Sequence, residues 1–135
     1  MRDYFMGLGG EKLARDKLRK IAGKYVADDK NEEAIDVWRY FLSIYTNEPT
    51  SVTWFASIID SVKKLEDRKR LERVMRESVV FFDPKGTWAV VNRNNKPVYS
   101  QALTLAEDSL DFVATWYHQQ AQKVQTAGQA TEAKA

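Results

Sequence analysis

Between positions 18 and 46, Ile21, Ala22 and Tyr25 are followed by Ala34, Trp38 and Phe41 at spacings of three, four and seven residues, on either side of the polar run Asp28-Asp29-Lys30-Asn31. Residues so spaced share a helix face. The pattern therefore predicts two amphipathic helices joined by a tight turn and packed antiparallel. Small side chains admit a close approach, and the large ones fill the space beside them. Neither helix of such a pair buries its apolar face without a stacked neighbour, which confines the chain to an all-α repeat architecture. Function is then expected on a surface and not in an enclosed pocket.

The same reading extends in both directions. Leu13, Leu18, Ile21, Ala22 and Tyr25 predict a first helix over 11–27, preceded by a Gly-rich start (Gly7, Gly9, Gly10) that is expected to leave 1–10 flexible. Tyr4, Phe5, Met6 and Leu8 in that segment are expected to serve as an apolar plug docking into a neighbouring repeat, or to be the last remnant of one. Asn31 is the expected N-cap of the second helix, with Glu32 and Glu33 in its first turn, and Asn47-Glu48-Pro49 ends it. In a third helix from about 50, Val52, Phe55, Ala56, Ile59 and Val62 repeat the arrangement of Leu18, Ile21, Ala22 and Tyr25 one repeat length downstream. The fourth helix, over 67–82, is less regular. Its apolar positions Leu71, Val74, Met75, Ser78 and Val79 come about three residues later than that repetition requires.

Asp83-Pro84-Lys85-Gly86 interrupts the pattern, 87–91 predicts one short helical turn, and a long helix over 98–124 follows. One stripe of it takes Tyr99, Leu103, Ala106, Leu110, Val113, Tyr117 and Val124, and a second takes Leu105, Phe112 and Trp116. Two stripes imply two packed faces. The second is the candidate oligomerisation or repeat-stacking face. The Ala-, Thr- and Gln-rich segment 125–135 predicts a disordered tail, so the expected plan is a flexible segment 1–10, a helical-repeat domain 11–124 and a tail 125–135.

The two helix pairs resemble tetratricopeptide repeats. In addition, Gly86-Thr87-Trp88-Ala89-Val90-Val91-Asn92, Ala106-Glu107-Asp108-Ser109-Leu110 and Ala114-Thr115-Trp116-Tyr117-His118-Gln119-Gln120-Ala121-Gln122 resemble a recurring block in large tetratricopeptide-repeat proteins of predatory and gliding deltaproteobacteria. The resemblance covers roughly 13–122 and departs at Thr87, where a serine is usual. It implies a short right-handed stack of two helix pairs closed by the long C-terminal helix, acting as a non-catalytic scaffold in a periplasmic or cell-envelope assembly. A cytoplasmic setting is the alternative. No catalytic residue and no cofactor is carried across, and the chain is expected not to be an enzyme.

On a pair of this type, first-helix residues turned away from the partner helix line a groove. Here these are Asp16, Arg19, Gly23 and Val26, then Thr50, Thr53, Ser57 and Asp60, and the expected partner is a protein or peptide. A net charge of only +2 does not imply a polyanion partner. Lys63, Lys64, Arg68, Lys69, Arg70, Arg73 and Arg76 do form a basic run, but Glu66 and Glu72 are spaced to pair with Arg70 and Arg76. No aromatic residues alternate with these cations to stack bases, which makes nucleic acid the weaker alternative. The absence of cysteine excludes disulfides and thiolate metal sites, and His118, the only histidine, lacks the spacing partners of a zinc site. No apolar run reaches the ~20 residues needed to span a bilayer. Gly7-Leu8-Gly9-Gly10 lacks the strand and the Lys-Ser or Lys-Thr of a phosphate loop. Among the tryptophans, Trp38 is expected in the core, Trp88 as a wedge against the long helix, and Trp54 as a contact residue if its neighbour Phe55 is core.

Overall fold

A computed structural model describes the backbone over 2–134 and the side chains over 10–129. Six helices occur in the described residues: α1 (Arg2–Ala27), α2 (Asn31–Ile44), α3 (Ser51–Lys64), α4 (Arg68–Phe81), α5 (Thr87–Asn92) and α6 (Lys96–Lys134). The all-α expectation holds. Two compact units are formed, residues 1–71 and residues 72–135.

In the first unit α1 packs on α2 and α2 on α3. Gly10 breaks α1 with φ 86° and ψ −174°, a backbone conformation at ease only for glycine, so helical geometry resumes at Glu11. The backbone of 2–9 is helical, where a flexible segment was expected over 1–10. The proposed plug at Tyr4, Phe5, Met6 and Leu8 lies outside the described side chains. From Glu11 onward α1 buries Ala14, Leu18 and Ala22, and α2 answers with Ala34, Ile35, Trp38 and Phe41. Asn31 is not the cap: Lys30 takes that position without a side-chain bond, and Asn31 turns inward, donating weakly to the Asp29 carbonyl at 3.4 Å. The core between α2 and α3 is aromatic. Trp54 lies nearly parallel to Phe41, with ring centroids 5.1 Å apart and planes 12° from one another, and Tyr45 tilts against both rings. Trp54 and Phe55 are both buried, at 4% and 1% exposure, so Trp54 is a core residue and not the protruding contact that its position beside Phe55 suggested.

A local geometry recurs at a spacing of thirty-seven residues. Asp29 and Glu66 both take φ of 57° in the turns that precede α2 and α4. The amide of Asp28 bonds the Lys24 carbonyl and that of Asp29 the Val26 carbonyl; in the later turn Leu65 bonds Ser61 and Glu66 bonds Lys63. Burial follows the same offset, since Ala34, Ile35, Val37, Trp38, Phe41 and Tyr45 correspond to Leu71, Glu72, Val74, Met75, Ser78 and Phe82, all buried. The register of Val52, Phe55 and Ala56 against Leu18, Ile21 and Ala22 is therefore corrected by three residues. Leu18 corresponds to Phe55 and Ala22 to Ile59, and the apparent lateness of α4 disappears.

In the second unit α5 packs on α6. The turn before α5 is held by the Gly86 amide on the Asp83 carbonyl at 2.8 Å, and a Cβ on Gly86 would sit 3.1 Å from that same oxygen. Trp88 is 2% exposed and meets Phe82 edge to face at 4.7 Å, while the Asn92 amide returns to its carbonyl. α4 and α6 approach where Ser78 Oγ and Ser109 Oγ lie 3.0 Å apart, both side chains fully buried. Along α6 the buried line is Ala102, Ser109 and Val113, flanked by half-buried Leu105, Phe112 and Trp116. The expected first stripe is corrected: Leu110, Tyr117 and Val124 are 53%, 52% and 74% exposed. The helix is uninterrupted to Lys134, so the segment expected to be disordered has helical backbone over 125–134.

Two outcomes check this account. Trp54→Ala removes the largest ring from the α2–α3 core and is expected to cost about 3–5 kcal/mol by urea unfolding. Glu66 sits in the left-handed region, so Glu66→Gly is expected to raise stability by about 0.5–1 kcal/mol, whereas Glu66→Val lowers it.

Candidate functional site

A cleft of about 420 Å³ lies between α1 and the start of α3. One wall is the side of α1 that flanks its buried alanines, carrying Glu11, Lys12, Arg15, Asp16 and Arg19 at helical spacing. Thr50 stands on the other side, and Phe41 and Trp54 reach the cleft from the core. The site thus combines an aromatic floor with charged walls, the composition that holds an amphipathic side chain by its body and its head.

Arg15 fixes one end. Its guanidinium lies 4.3 Å from the centre of the Tyr45 ring and grips the Glu48 carboxylate with two nitrogens, Nη1 at 3.0 Å from Oε1 and Nη2 on Oε2. Glu48 belongs to the turn whose carbonyl receives the Ser51 amide at 3.1 Å, while Ser51 Oγ donates to the Thr46 carbonyl at 3.0 Å. The contact therefore ties the α2–α3 connection to α1. Arg19 pairs with Asp16 at 2.5 Å across one turn. Lys12 has no ion pair among the described residues, which leaves its ammonium for an incoming group.

Of the groove residues expected from sequence, Asp16, Arg19 and Thr50 line this cleft. Gly23, Thr53 and Asp60 are exposed and Val26 and Ser57 half-buried, and none of these five is part of its wall. The expected groove did not include Glu11, Lys12, Arg15 and Phe41, nor Trp54, which was expected as a contact residue outside it. The spacing of Lys12 to Asp16 and Arg19 was the available signal for Lys12; Arg15, Phe41 and Trp54 depend on the fold of the α2–α3 turn.

The alternative sites have their own geometry. In the basic run Lys63, Lys64, Arg68 and Lys69 are exposed, with Glu66 and Asp67 among them. Arg70 does not pair with Glu66 as its spacing suggested; it reaches Glu32 on α2 at 2.5 Å, because the left-handed Glu66 is outside the helix. The expected Glu72–Arg76 pair is present, with Arg76 Nε 2.9 Å from Glu72 Oε1. This bond to a buried carboxylate raises the pKa of the Arg76 guanidinium. His118 is exposed on α6, and the positions one turn away on its face, Ala114, Thr115, Ala121 and Gln122, supply no carboxylate. Among the described residues no group of three His, Cys, Asp or Glu side chains could hold a metal ion, and no helix is long and apolar enough to cross a membrane. Leu105, Phe112 and Trp116, the expected oligomerisation face, are half-buried beside the line of α6 that is packed.

Compared with known protein families, curated proteins and solved structures, the chain matches none.

The Arg15–Glu48 contact is testable by a double-mutant cycle. Both side chains are about one-third exposed (32% and 33%), so Arg15→Ala, Glu48→Ala and the double variant are expected to give a coupling of about 0.5–1 kcal/mol in urea unfolding.

Proposed function

We propose that this chain is a non-catalytic protein-binding module of the tetratricopeptide-like type, serving as a scaffold element in a larger cell-envelope assembly. The observation that carries the binding reading is the cleft between α1 and α3, where the indole of Trp54 underlies a wall bearing Lys12, Arg15 and Arg19. A rigid aromatic floor with charges at its rim suits an extended or helical peptide that inserts an apolar side chain and sets a carboxylate against Lys12. The thirty-seven-residue recurrence of turn geometry and burial supports the repeat reading, because such units bury their apolar faces only against neighbours. Placement in the envelope rests on the resemblance of the 86–122 block alone.

Nucleic acid is the weaker alternative. Two cations of the basic run are engaged, Arg70 by Glu32 and Arg76 by Glu72, and Glu66 and Asp67 dilute the field of the remainder. An enzymatic reading centres on His118, which stands exposed with no acid one turn away on its helix.

A displayed random-peptide library tests the proposal. Peptides enriched on the chain are expected to carry an aromatic or large aliphatic residue near an acidic one. Lys12→Glu combined with Arg19→Glu is expected to weaken them at least tenfold, about 1.4 kcal/mol, without loss of helicity. No enrichment, or equal binding by the variant, would overturn the assignment of the cleft.

A further inference from the structure

One end of the cleft is closed by a carboxylate of the chain itself. Arg15 lines the cleft, its guanidinium rests 4.3 Å from the centre of the Tyr45 ring, and its two terminal nitrogens hold Glu48. A guanidinium fork takes other carboxylates in the same way, so Glu48 displays the chemistry that this seat accepts. The pair is built so that the carboxylate alone can leave. Arg15 keeps a second support, because Tyr45 is buried and packed among Phe41 and Trp54. The backbone of Glu48 is tied by its amide to the Tyr45 carbonyl and by its carbonyl to the Ser51 amide, both at 3.1 Å. Its side chain can therefore rotate out to water while the 45–50 connection keeps these bonds. The pair at Glu72 is different. That side chain is 4% exposed, and parting it from Arg76 would leave a buried charge, whereas Glu48 and Arg15 are both about one-third exposed.

Tethering decides which carboxylates can take the seat. Glu48 is attached beside Arg15, so a free anion in solution competes with a partner that is always present. A ligand carboxylate meets it on equal terms only when its own molecule is already anchored in the cleft, where it too acts at a high effective concentration. The aromatic floor of Phe41 and Trp54 provides that anchor for an apolar side chain. Lys12 then tips the exchange. It stands one turn before Arg15 on the same wall, with Cβ atoms about 5–6 Å apart, and has no ion pair among the described residues. A ligand carboxylate set between the two thus meets both cations, while Glu48 meets only Arg15.

We propose that Glu48 is a surrogate ligand built into the cleft, and that the acidic residue of a bound peptide displaces it and bridges Lys12 and Arg15. The inference rests on the peptide-binding reading of the cleft and adds the selection that operates there. An apolar peptide without an acid leaves the latch closed, and an acid without an apolar anchor cannot compete with the tethered Glu48.

Peptides enriched on the chain from the displayed library are the probes, each paired with a version in which its acid is changed to the amide. Affinities are measured by fluorescence polarisation on the wild type, Glu48→Gln, Arg15→Gln and Glu33→Gln. Glu33 is an exposed carboxylate at the far end of α2 and controls for loss of one negative charge. Glu48→Gln keeps the length of the side chain, and circular dichroism is expected to show its helicity retained. It should tighten the acidic peptides about two- to fivefold, the factor set by a partly exposed ion pair, and leave the amide versions unchanged. Glu33→Gln should alter neither. In Arg15→Gln the acid and amide versions should differ at least twofold less than in the wild type. The latch is overturned if Glu48→Gln fails to tighten the acidic peptides, if it tightens the amide versions equally, if Glu33→Gln matches it, or if the acid contributes as much without Arg15. Enriched peptides that lack an acid would overturn the latch and leave the apolar cleft standing; no enrichment at all would overturn both.

Discussion

The face of Trp54 against Phe41 is the contact on which the first unit depends. α2 and α3 are joined by a six-residue connection (45–50) and have no cross-link, so their mutual orientation is set by the rings they share. Tyr45 completes the cluster and becomes the platform for Arg15, which in turn grips the connection through Glu48. A core contact, a loop tether and the floor of the cleft are thus one continuous set of side chains. For the proposed peptide binding the consequence is pre-organisation, since a cleft already shaped by its own core lowers the ordering entropy that opposes binding.

At the thirty-seven-residue offset, α2 and α4 bury corresponding positions with different chemistry. Where α2 has Ile35 and Phe41, α4 has Glu72 and Ser78 at the corresponding buried positions. Apolar filling is replaced by polar contact. Ser78 permits close approach to α6 at Ser109, and Glu72 holds Arg76 against the Tyr117 ring. A buried carboxylate requires such a partner, and its arginine remains half-exposed at the outer end.

Much of the helix pattern was legible from residue spacing, because periodicity and turn residues act locally. Gly10, the Asp28-Asp29-Lys30-Asn31 turn, Pro49 and the 83–86 turn delimit helices close to where they were expected. The errors share a cause. Asn31 as a cap, Glu66 paired with Arg70 and the matching of Val52 and Phe55 to Leu18 and Ile21 each assumed ideal local geometry. The left-handed Asp29 and Glu66 alter that geometry by setting where the following helix begins. For the cleft, Asp16, Arg19 and Thr50 were legible as outward positions, but Trp54 was expected as a contact residue if Phe55 is core, because neighbouring helical residues diverge by about 100°. α3 instead buries both Trp54 and Phe55, since its packed arc is wide enough to include them.

By itself the sequence determined that this chain is all helix, where most of its helices begin and end, and which residues are apolar enough to require cover. Those properties follow from backbone preference and side-chain periodicity over a few neighbouring residues. Tertiary structure alone decided which apolar stripe of α6 is covered and which is open, that Arg70 finds Glu32, and that Arg15 stands over Tyr45 beside Glu48. These contacts join residues separated by thirty or more positions, and their distances are fixed by how helices pack, a relation that no local spacing contains.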